Sequence, residues 1–216
     1  VSDKSDSDSQ PVKGWVVITQ SDQHPFEVYL DTNIRRGGDA SVSIKSGAAQ
    51  ASPDKSAAFL IQTIKAGDYI GKRVRLSAYF KAEDAGHASL TLRMDGAEMK
   101  VMNIDTLDRK PIKGTTGWQR RDIVLDVPAE TQQIAFVVSL RGGGQIWVDD
   151  IKFEEVVGPD APVTSARSPF EIQEGSARRI EQYKSTNKTD YEKQLKVFSR
   201  RNITAPLAPV NLDFED

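Results

Sequence analysis

The apolar side chains of this chain recur at every second residue, and this spacing constrains the fold more than any other feature. In segments 74–80, 90–94 and 134–140, apolar residues alternate mostly with polar or small ones. Successive side chains of a β-strand point to opposite faces of a sheet, whereas a helix repeats about every 3.6 residues. Each segment is therefore predicted to be a strand with one buried face and one solvated face.

Turn-forming sequences separate these predicted strands. The turns contain glycine and lie at 35–38, 66–68, 84–86, 95–96, 113–117 and 142–144. About eight short strands at this spacing are typical of an all-β domain. We predict an antiparallel β-sandwich jelly roll over residues 14–156.

The chain begins with Val1 rather than methionine, and residues 1–13 are rich in Ser and Asp. A polar segment of this kind has no apolar surface to bury and is predicted to be disordered or a spacer. A spacer behind an export signal would have this composition, and so would an interdomain linker. We expect an exported protein, periplasmic or extracellular, in preference to a cytoplasmic one.

Residues 157–207 are predicted to be a linker followed by a short helical extension. Ser176 is a candidate cap for a first helix, and Thr189 with Glu192 forms a capping-box pattern for a second one. One apolar stripe then follows at i, i+4 and i+7: Tyr191, Leu195 and Phe198. A helix this short is expected to dock on the sandwich.

Residues 208–216 alternate apolar Leu212 and Phe214 with polar neighbours, and Pro209 precedes them. This pattern fits a half-buried edge strand, where proline is tolerated because no ladder amide is needed. The strand would complete this domain or be exchanged with a second copy in a homodimer. Alternatively, the segment is the start of a following module.

Composition argues against two classes of partner. The formal net charge is -2 and the isoelectric point is about 5.8, so the chain lacks the overall positive charge that attracts nucleic acid. No apolar run approaches the ~18 residues that a membrane-spanning helix needs. We therefore expect neither nucleic-acid binding nor direct membrane insertion.

Several segments together resemble the galactose-binding-like jelly-roll family, which includes many carbohydrate-binding modules. The resemblance lies in 39–46, 70–84 and 110–118, and in the Trp147-Val148-Asp149-Asp150 strand. It covers about two thirds of the chain. Such domains occur beside helix-turn-helix regulators and beside secreted enzymes. The resemblance implies a module that binds an oligo- or polysaccharide without transforming it.

The resemblance also implies a structural calcium ion. In related jelly rolls, a carboxylate at the end of the last strand, the Glu of the opening strand and loop carbonyls hold the ion. The matching residues are Asp150, Glu215 in the Asn-Leu-Asp-Phe-Glu tail, and Asp39. An Asp that caps loop amides is the alternative for such a position.

A saccharide site requires aromatic faces and planar polar side chains on the outer face of a sheet. By strand alternation, Tyr79 and Arg93 point outward, and we predict that both line one groove. Gln62 and Arg141 are the further ligand-binding candidates.

No catalytic motif is evident in the sequence. A nucleophile elbow, a His-Glu-x-x-His pair, a phosphate loop and a dinucleotide fingerprint are all missing. Histidine occurs only at His24 and His87 and cysteine is absent, so a zinc or copper site is not expected. Asp149 and Asp150 are neighbours on a strand and should point to opposite faces. We predict a non-enzymatic protein; the alternatives are a structural or protein-interaction module and a hydrolase with an unrecognised carboxylate pair.

Overall fold

The computed structural model describes residues 12–21, 25–47, 52–53, 56–158 and 161–215, and within them it contains nine β-strands and two α-helices. The strands are β1 (Val16–Ser21), β2 (Phe26–Asp31), β3 (Ser41–Ser46), β4 (Ser56–Lys65), β5 (Arg73–Asp95), β6 (Val101–Thr106), β7 (Ile112–Asp126), β8 (Gln133–Arg141) and β9 (Gln145–Glu155). The helices are α1 (Pro169–Thr186) and α2 (Lys188–Thr204). Most of the predicted spacer, residues 1–11, and His24 lie outside the described residues.

The long strand β5 connects the two layers of the domain. Residues 73–83 of β5 pair with β7 and β9, whereas residues 87–95 pair with β8 and β6, all antiparallel. The start of β7 follows β5 across this change, through pairs at Ala85 and Ala88. Layer 1 therefore consists of β1, β4, β8, the second half of β5 and β6. Layer 2 consists of β2, β3, β9, the first half of β5 and β7. The predicted all-β sandwich is confirmed.

The hydrophobic core lies between the two layers and is built from the alternating residues that the sequence indicated. On β5 the buried side chains in layer 2 include Leu76 and Phe80, and those in layer 1 include Leu90 and Leu92. Phe136 of β8 packs against them from layer 1. Burial of such apolar side chains is the main favourable term in folding, at roughly 1.5–3 kcal/mol each.

Two predicted turns are instead parts of strands. Residues 84–86 lie inside β5, where the register with β7 shifts, and Asp84 has a positive φ of 50°. Residues 113–117 lie inside β7, where Gly114 has a φ of 68°. Glycine at such a position marks a β-bulge as readily as a turn, because a bulge also requires an unusual backbone conformation. The two bulges bend the paired strands where they pass from one layer to the other.

The helical extension is confirmed, but its caps differ from the prediction. Ser168 begins α1 with a capping box: its Oγ accepts from the Glu171 amide at 3.3 Å, and Glu171 accepts from the Ser168 amide at 2.8 Å. Ser176 lies inside α1, where its buried Oγ accepts from the Val101 amide of β6 at 2.8 Å. Thr189 lies inside α2, which has Asn187 at its N-cap.

The predicted apolar stripe of α2 faces the rest of the protein. Tyr191 is buried, and Leu195 and Phe198 are half-buried, between neighbours that are mostly exposed. The Phe198 carbonyl accepts from the Gln133 side chain of β8 at 3.3 Å. The extension is therefore docked on the sandwich, as a helix of this length requires.

The C-terminal segment packs on the sandwich but forms no strand within residues 208–215. Asn211 and Phe214 have φ values of 46° and 62°, in the left-handed region, and this conformation is incompatible with an extended edge strand. Phe214 is nevertheless buried, with its ring centroid 5.8 Å from that of Trp15. The apolar alternation indicated burial correctly, whereas the edge strand it suggested is absent.

Candidate functional site

The outer face of layer 2 carries aromatic and planar polar side chains on neighbouring strands. Tyr29 of β2, Ser43 of β3, Trp147 of β9 and Lys81 of β5 lie side by side in one row of paired residues. Gln145 of β9 lies in the next row, opposite Lys45 and Glu83. We call these side chains, together with Tyr79, the aromatic face.

Hydrogen bonds hold the exposed end of this face in place. The Gln145 side-chain amide donates to the Tyr29 hydroxyl at 3.0 Å and to the Ser43 Oγ at 2.8 Å. Tyr29 is 37% exposed, so one part of its ring faces solvent. Because both Gln145 donors are used, the Gln145 Oε1 and the Tyr29 O–H proton are the groups that a ligand could bind.

Trp147 is covered by its polar neighbours although it lies outside the core. Its indole N–H donates to Asp31 at 2.9 Å, and the Lys81 ammonium lies 4.5 Å from the ring centroid. Burial alone would raise the pKa of Asp31, but the Trp147 hydrogen bond, the amides of Asn33 and Ile34 and the charge of Lys81 outweigh it, so the pKa is lowered. Asp31 is therefore ionised near neutral pH.

Tyr79 lies on the same outer face, two residues from Lys81 along β5. The Arg36 guanidinium stacks over its ring at 3.6 Å from the centroid, and Arg36 also pairs with Asp150. On the neighbouring strand β7, Arg120 lies opposite Tyr79 in the strand register. Cation–π stacking of this kind already covers one ring face of Tyr79.

A shallow groove of about 830 Å³ opens at the end of the aromatic face. The groove is lined by backbone and polar side chains: Lys45, Ser46, Gly47, Glu83, Asp84, Gly114, Gly144 and Gln145. Gly144 has a φ of 87°, and a Cβ there would lie 2.2 Å from the Asp84 carbonyl oxygen. Glycine is thus required for the close approach of this turn to the bulge of β5 at Asp84.

The predicted ligand residues do not form one site. Tyr79 and Arg93 lie on the same strand, but β5 crosses between the layers, so the two side chains are on opposite outer faces. Gln62 is on the inward face of β4 between Leu60 and Ile64, and it holds the C-terminal segment: it accepts from the Val210 amide at 3.0 Å and donates to the Val210 carbonyl at 2.7 Å.

Arg93 and Arg141 share the outer face of layer 1, but they are well apart. Arg141 is paired with His87, six residues before Arg93 on β5, a separation of roughly 20 Å at ~3.3 Å per residue. Arg93 is held by Asp95, with its Nε 2.8 Å from one carboxylate oxygen. Arg141 lies over the Phe59 ring at 5.5 Å, and its Nε makes no hydrogen bond among the described residues.

The three predicted calcium ligands lie around the loop at residues 36–40. Both oxygens of Glu215 accept from the Asp39 amide, at 2.8 and 2.7 Å. Asp150 pairs with Arg36 and lies beside Gly37. The left-handed φ of 48° at Asp150 breaks the strand alternation, which explains why both members of the Asp149–Asp150 pair reach the same loop.

Asp150 and Glu215 already accept hydrogen bonds from protein donors, and so does the neighbouring Asp149. Asp149 accepts from the Arg36 amide at 2.6 Å and from the Gly37 amide at 3.2 Å, so it caps the loop. Calcium requires six to eight oxygen ligands, and a guanidinium beside Asp150 is unfavourable for it. Among the described residues, no group of three or more acidic or histidine side chains is placed to hold a metal ion. In this arrangement the donor set does not fit calcium, and the ion remains a prediction.

Sequence reasoning missed Tyr29 and Gln145, the two residues that define the exposed end of the aromatic face. Tyr29 could have been found, because it alternates with Val28 and Leu30 and so points outward. Gln145 follows a glycine turn, and nothing in the sequence indicates that its amide reaches across β3 to β2.

The sequence comparison gives one informative relative, and no family model matches the chain. The chain is 40% identical over 164 residues to the uncharacterized HTH-type transcriptional regulator YbfP of Bacillus subtilis (strain 168). The matched region covers 74% of this chain and 54% of the relative. The chain therefore spans about half the length of the curated relative it matches.

Similar solved structures share the fold at low sequence identity. A domain of tailspike protein 4 of bacteriophage CBA120 has a TM-score of 0.52 and 11% identity, covering 67% of this chain and 20% of that one. The module TmCBM61, solved with β-1,4-galactotriose, has a TM-score of 0.47 and 15% identity, covering 67% and 90%. The xylan-binding CBM22-1 domain of Paenibacillus barcinonensis Xyn10C has a TM-score of 0.46 and 14% identity, covering 68% and 88%. These likenesses show the fold, an antiparallel β-sandwich jelly roll, as predicted. Of the helices in the described part of the chain, neither α1 nor α2 is long and apolar enough to cross a membrane.

Proposed function

We propose that the chain is a non-catalytic binding module for a saccharide, and that the saccharide lies on the aromatic face. The observation that carries the proposal is the exposed Tyr29 ring, fixed by Gln145 beside the groove of about 830 Å³. Sugar rings pack their C–H surfaces on aromatic side chains, and their hydroxyls bind planar polar groups. Tyr29 offers the first kind of contact, and Gln145 offers the second.

The groove next to Tyr29 supplies further polar groups for sugar hydroxyls. Glu83 and Lys45 line it, and neither makes an ion pair among the described residues. Its volume is within the range of about 300–1,000 Å³ that small-ligand sites have. The binding surface is built on strands, so it is held in place before the ligand arrives.

A non-catalytic role is supported by the arrangement of His87, the only histidine in the described residues. His87 lies 3.1 Å from Asp108, which resembles the orienting half of a hydrolytic triad. The nearby Ser89, however, has its Oγ 3.4 Å from the Leu90 carbonyl oxygen and 3.4 Å from the Thr106 Oγ1, and among the described residues it makes no hydrogen bond to the imidazole. A nucleophile needs its base within hydrogen-bond reach, and this serine does not have that contact.

The relative from Bacillus subtilis supports a specific context for the binding module. Because that relative is described as a helix-turn-helix transcriptional regulator, we propose as a second candidate that the module is the ligand-sensing part of such a regulator. This context would place the protein in the compartment that holds DNA, whereas the polar N-terminal segment favoured export. Fractionation of cells that carry the tagged full-length protein distinguishes the two contexts.

Binding to a glycan array followed by isothermal titration calorimetry tests the proposed function. Tyr29→Ala should weaken binding of any glycan found by about tenfold, which corresponds to roughly 1.4 kcal/mol and matches one aromatic contact. Phe170→Ala is the matched control, because Phe170 is 69% exposed on α1, away from the face. An array without any bound glycan, together with a stable dimer in native mass spectrometry, would favour an interaction module instead.

A further inference from the structure

A second concave site lies at the edge of the sandwich, where β6, β7 and the segment before α1 meet. Its volume is about 710 Å³. It is lined by the end of β6 and the following turn, by the middle of β7, and by residues 164–167. We call this site the basic groove, because its lining includes five cationic side chains: Arg109, Lys110, Arg120, Arg121 and Arg167.

The wall contributed by residues 164–167 is fixed to both edge strands. The Thr164 amide donates to the Val124 carbonyl at 2.9 Å, and the Val124 amide donates to the Thr164 Oγ1 at 3.0 Å. The same hydroxyl donates to Asp105 of β6 at 2.6 Å. The segment thus joins β6 to β7, and the groove has a defined shape.

The positive charge of the groove is mostly unneutralised. Its only carboxylates are Asp105 and Asp122, which gives the lining a formal charge of +3. Asp122 pairs with Arg120 at 2.7 Å, and Asp105 is bound by Thr164. No ion pair within the described residues involves any of the other four cations: Arg109, Lys110, Arg121 and Arg167.

This arrangement of charges favours the binding of an anion in the basic groove. Like charges gathered in one concavity raise the local potential, and a bound anion relieves their repulsion. Guanidinium groups bind carboxylate and phosphate oxygens in pairs, which adds geometric specificity. The apolar part of the lining consists of Ile104, Leu107 and Ala166, without an aromatic ring. The groove therefore lacks the stacking surface that a neutral sugar uses on the aromatic face.

We propose that the basic groove binds a small anionic ligand of sugar size that carries a phosphate or a carboxylate. The volume of about 710 Å³ accommodates a mono- or disaccharide derivative. This inference goes beyond the proposed function, because it concerns different residues on a different edge of the sandwich. Since residues 164–167 form one wall, the bound ligand also contacts the segment that leads into α1.

Isothermal titration calorimetry with three probes tests the proposal: glucose 6-phosphate, glucuronate and glucose. We expect at least one of the two anionic probes to bind and glucose not to bind, and which anion binds identifies phosphate or carboxylate as the recognised group. The affinity should fall as sodium chloride is raised, because exposed charges are screened. Equal binding of glucose, or no binding of either anion, would overturn the proposal.

Two double variants assign any binding to the groove. Arg109→Gln/Lys110→Gln should weaken anion binding at least tenfold, and both side chains are exposed, so the fold is retained. Lys188→Gln/Lys193→Gln on α2 removes the same charge outside the groove and should have no effect. Equal losses in both double variants would show only a general charge effect and would refute the site.

Two further measurements distinguish the basic groove from the aromatic face and from a nucleic-acid surface. Tyr29→Ala should leave anion binding unchanged, so failure of the saccharide proposal and failure of this one are distinguishable. If a random-sequence DNA duplex bound more tightly than the anionic probes, and if this binding were lost in the Arg109→Gln/Lys110→Gln variant, the groove would be a nucleic-acid-binding surface. That result would refute a small-ligand groove.

Discussion

Phe214 should contribute more to stability than its position near the C-terminus would suggest. Its side chain is 1% exposed, belongs to the core cluster and packs against Trp15. Replacing a buried Phe by Ala removes its transfer free energy and leaves a cavity, at a typical cost of about 3–5 kcal/mol. The segment around it is also fixed, because the Trp15 indole donates to the Asn211 carbonyl at 3.1 Å. We therefore expect Phe214→Ala to lower the free energy of unfolding by an amount near the upper end of that range.

Urea unfolding at equilibrium measures this loss, and a thermal melt should show a decrease of roughly 6–20 °C for a domain of this size. Leu207→Ala is the matched control, because Leu207 is 64% exposed directly before this segment and should change the unfolding free energy by less than about 0.5 kcal/mol. A Phe214→Ala variant as stable as the wild type would refute the packing of this segment. If deleting 208–216 instead converted a dimer into a monomer of equal stability, the segment would be exchanged between copies.

Three further outcomes follow from the structure. Arg93→Ala should lower the unfolding free energy by about 1–3 kcal/mol in urea titrations, because it leaves the buried Asp95 carboxylate without its partner. Burial raises the pKa of Asp95 above its ordinary 3.8 although Arg93 opposes this, so the folded state binds the proton more tightly than the unfolded state. The stability of the wild type relative to Asp95→Asn should therefore fall as pH rises from 3.8 through the folded pKa, and a pH-independent difference would contradict this. Because Asp150 and Glu215 already bind protein donors, the melting temperatures in calcium and in EDTA should agree within about a degree. A melting temperature several degrees higher in calcium would instead support the calcium ion that the sequence predicts.

The core could be predicted from the sequence because alternation is a local property. Leu76 and Phe80, and equally Leu90 and Leu92, are buried as their spacing indicated. Alternation with polar residues facing outward did not hold at Gln62, a polar residue whose side chain is buried on the inward face of β4. Its side chain is satisfied there by the Val210 backbone, which lies 148 residues away in sequence. A buried polar residue of this kind needs a distant partner that no local pattern reveals.

The prediction that Tyr79 and Arg93 line one groove is wrong for a topological reason. Both face outward, as predicted, but the glycine-containing segments of the sequence predict turns between separate strands. The chain instead continues through Asp84 as a bulged strand, and its two halves belong to different layers. A turn and a bulge both use positive φ, and only the pairing partners of the flanking residues distinguish them.

The basic groove was beyond prediction because its charges are distributed over three segments. Arg109 and Lys110, Arg120 and Arg121, and Arg167 come from a turn, an edge strand and the segment before α1. The formal net charge of the whole chain is -2, which argues against an anionic partner when charge is averaged over the sequence. An anion in a groove responds to the charges within about one Debye length, roughly 8–10 Å, and not to the total. Binding preferences must therefore be inferred from the charge of each concavity, and here that charge has the opposite sign to the charge of the chain.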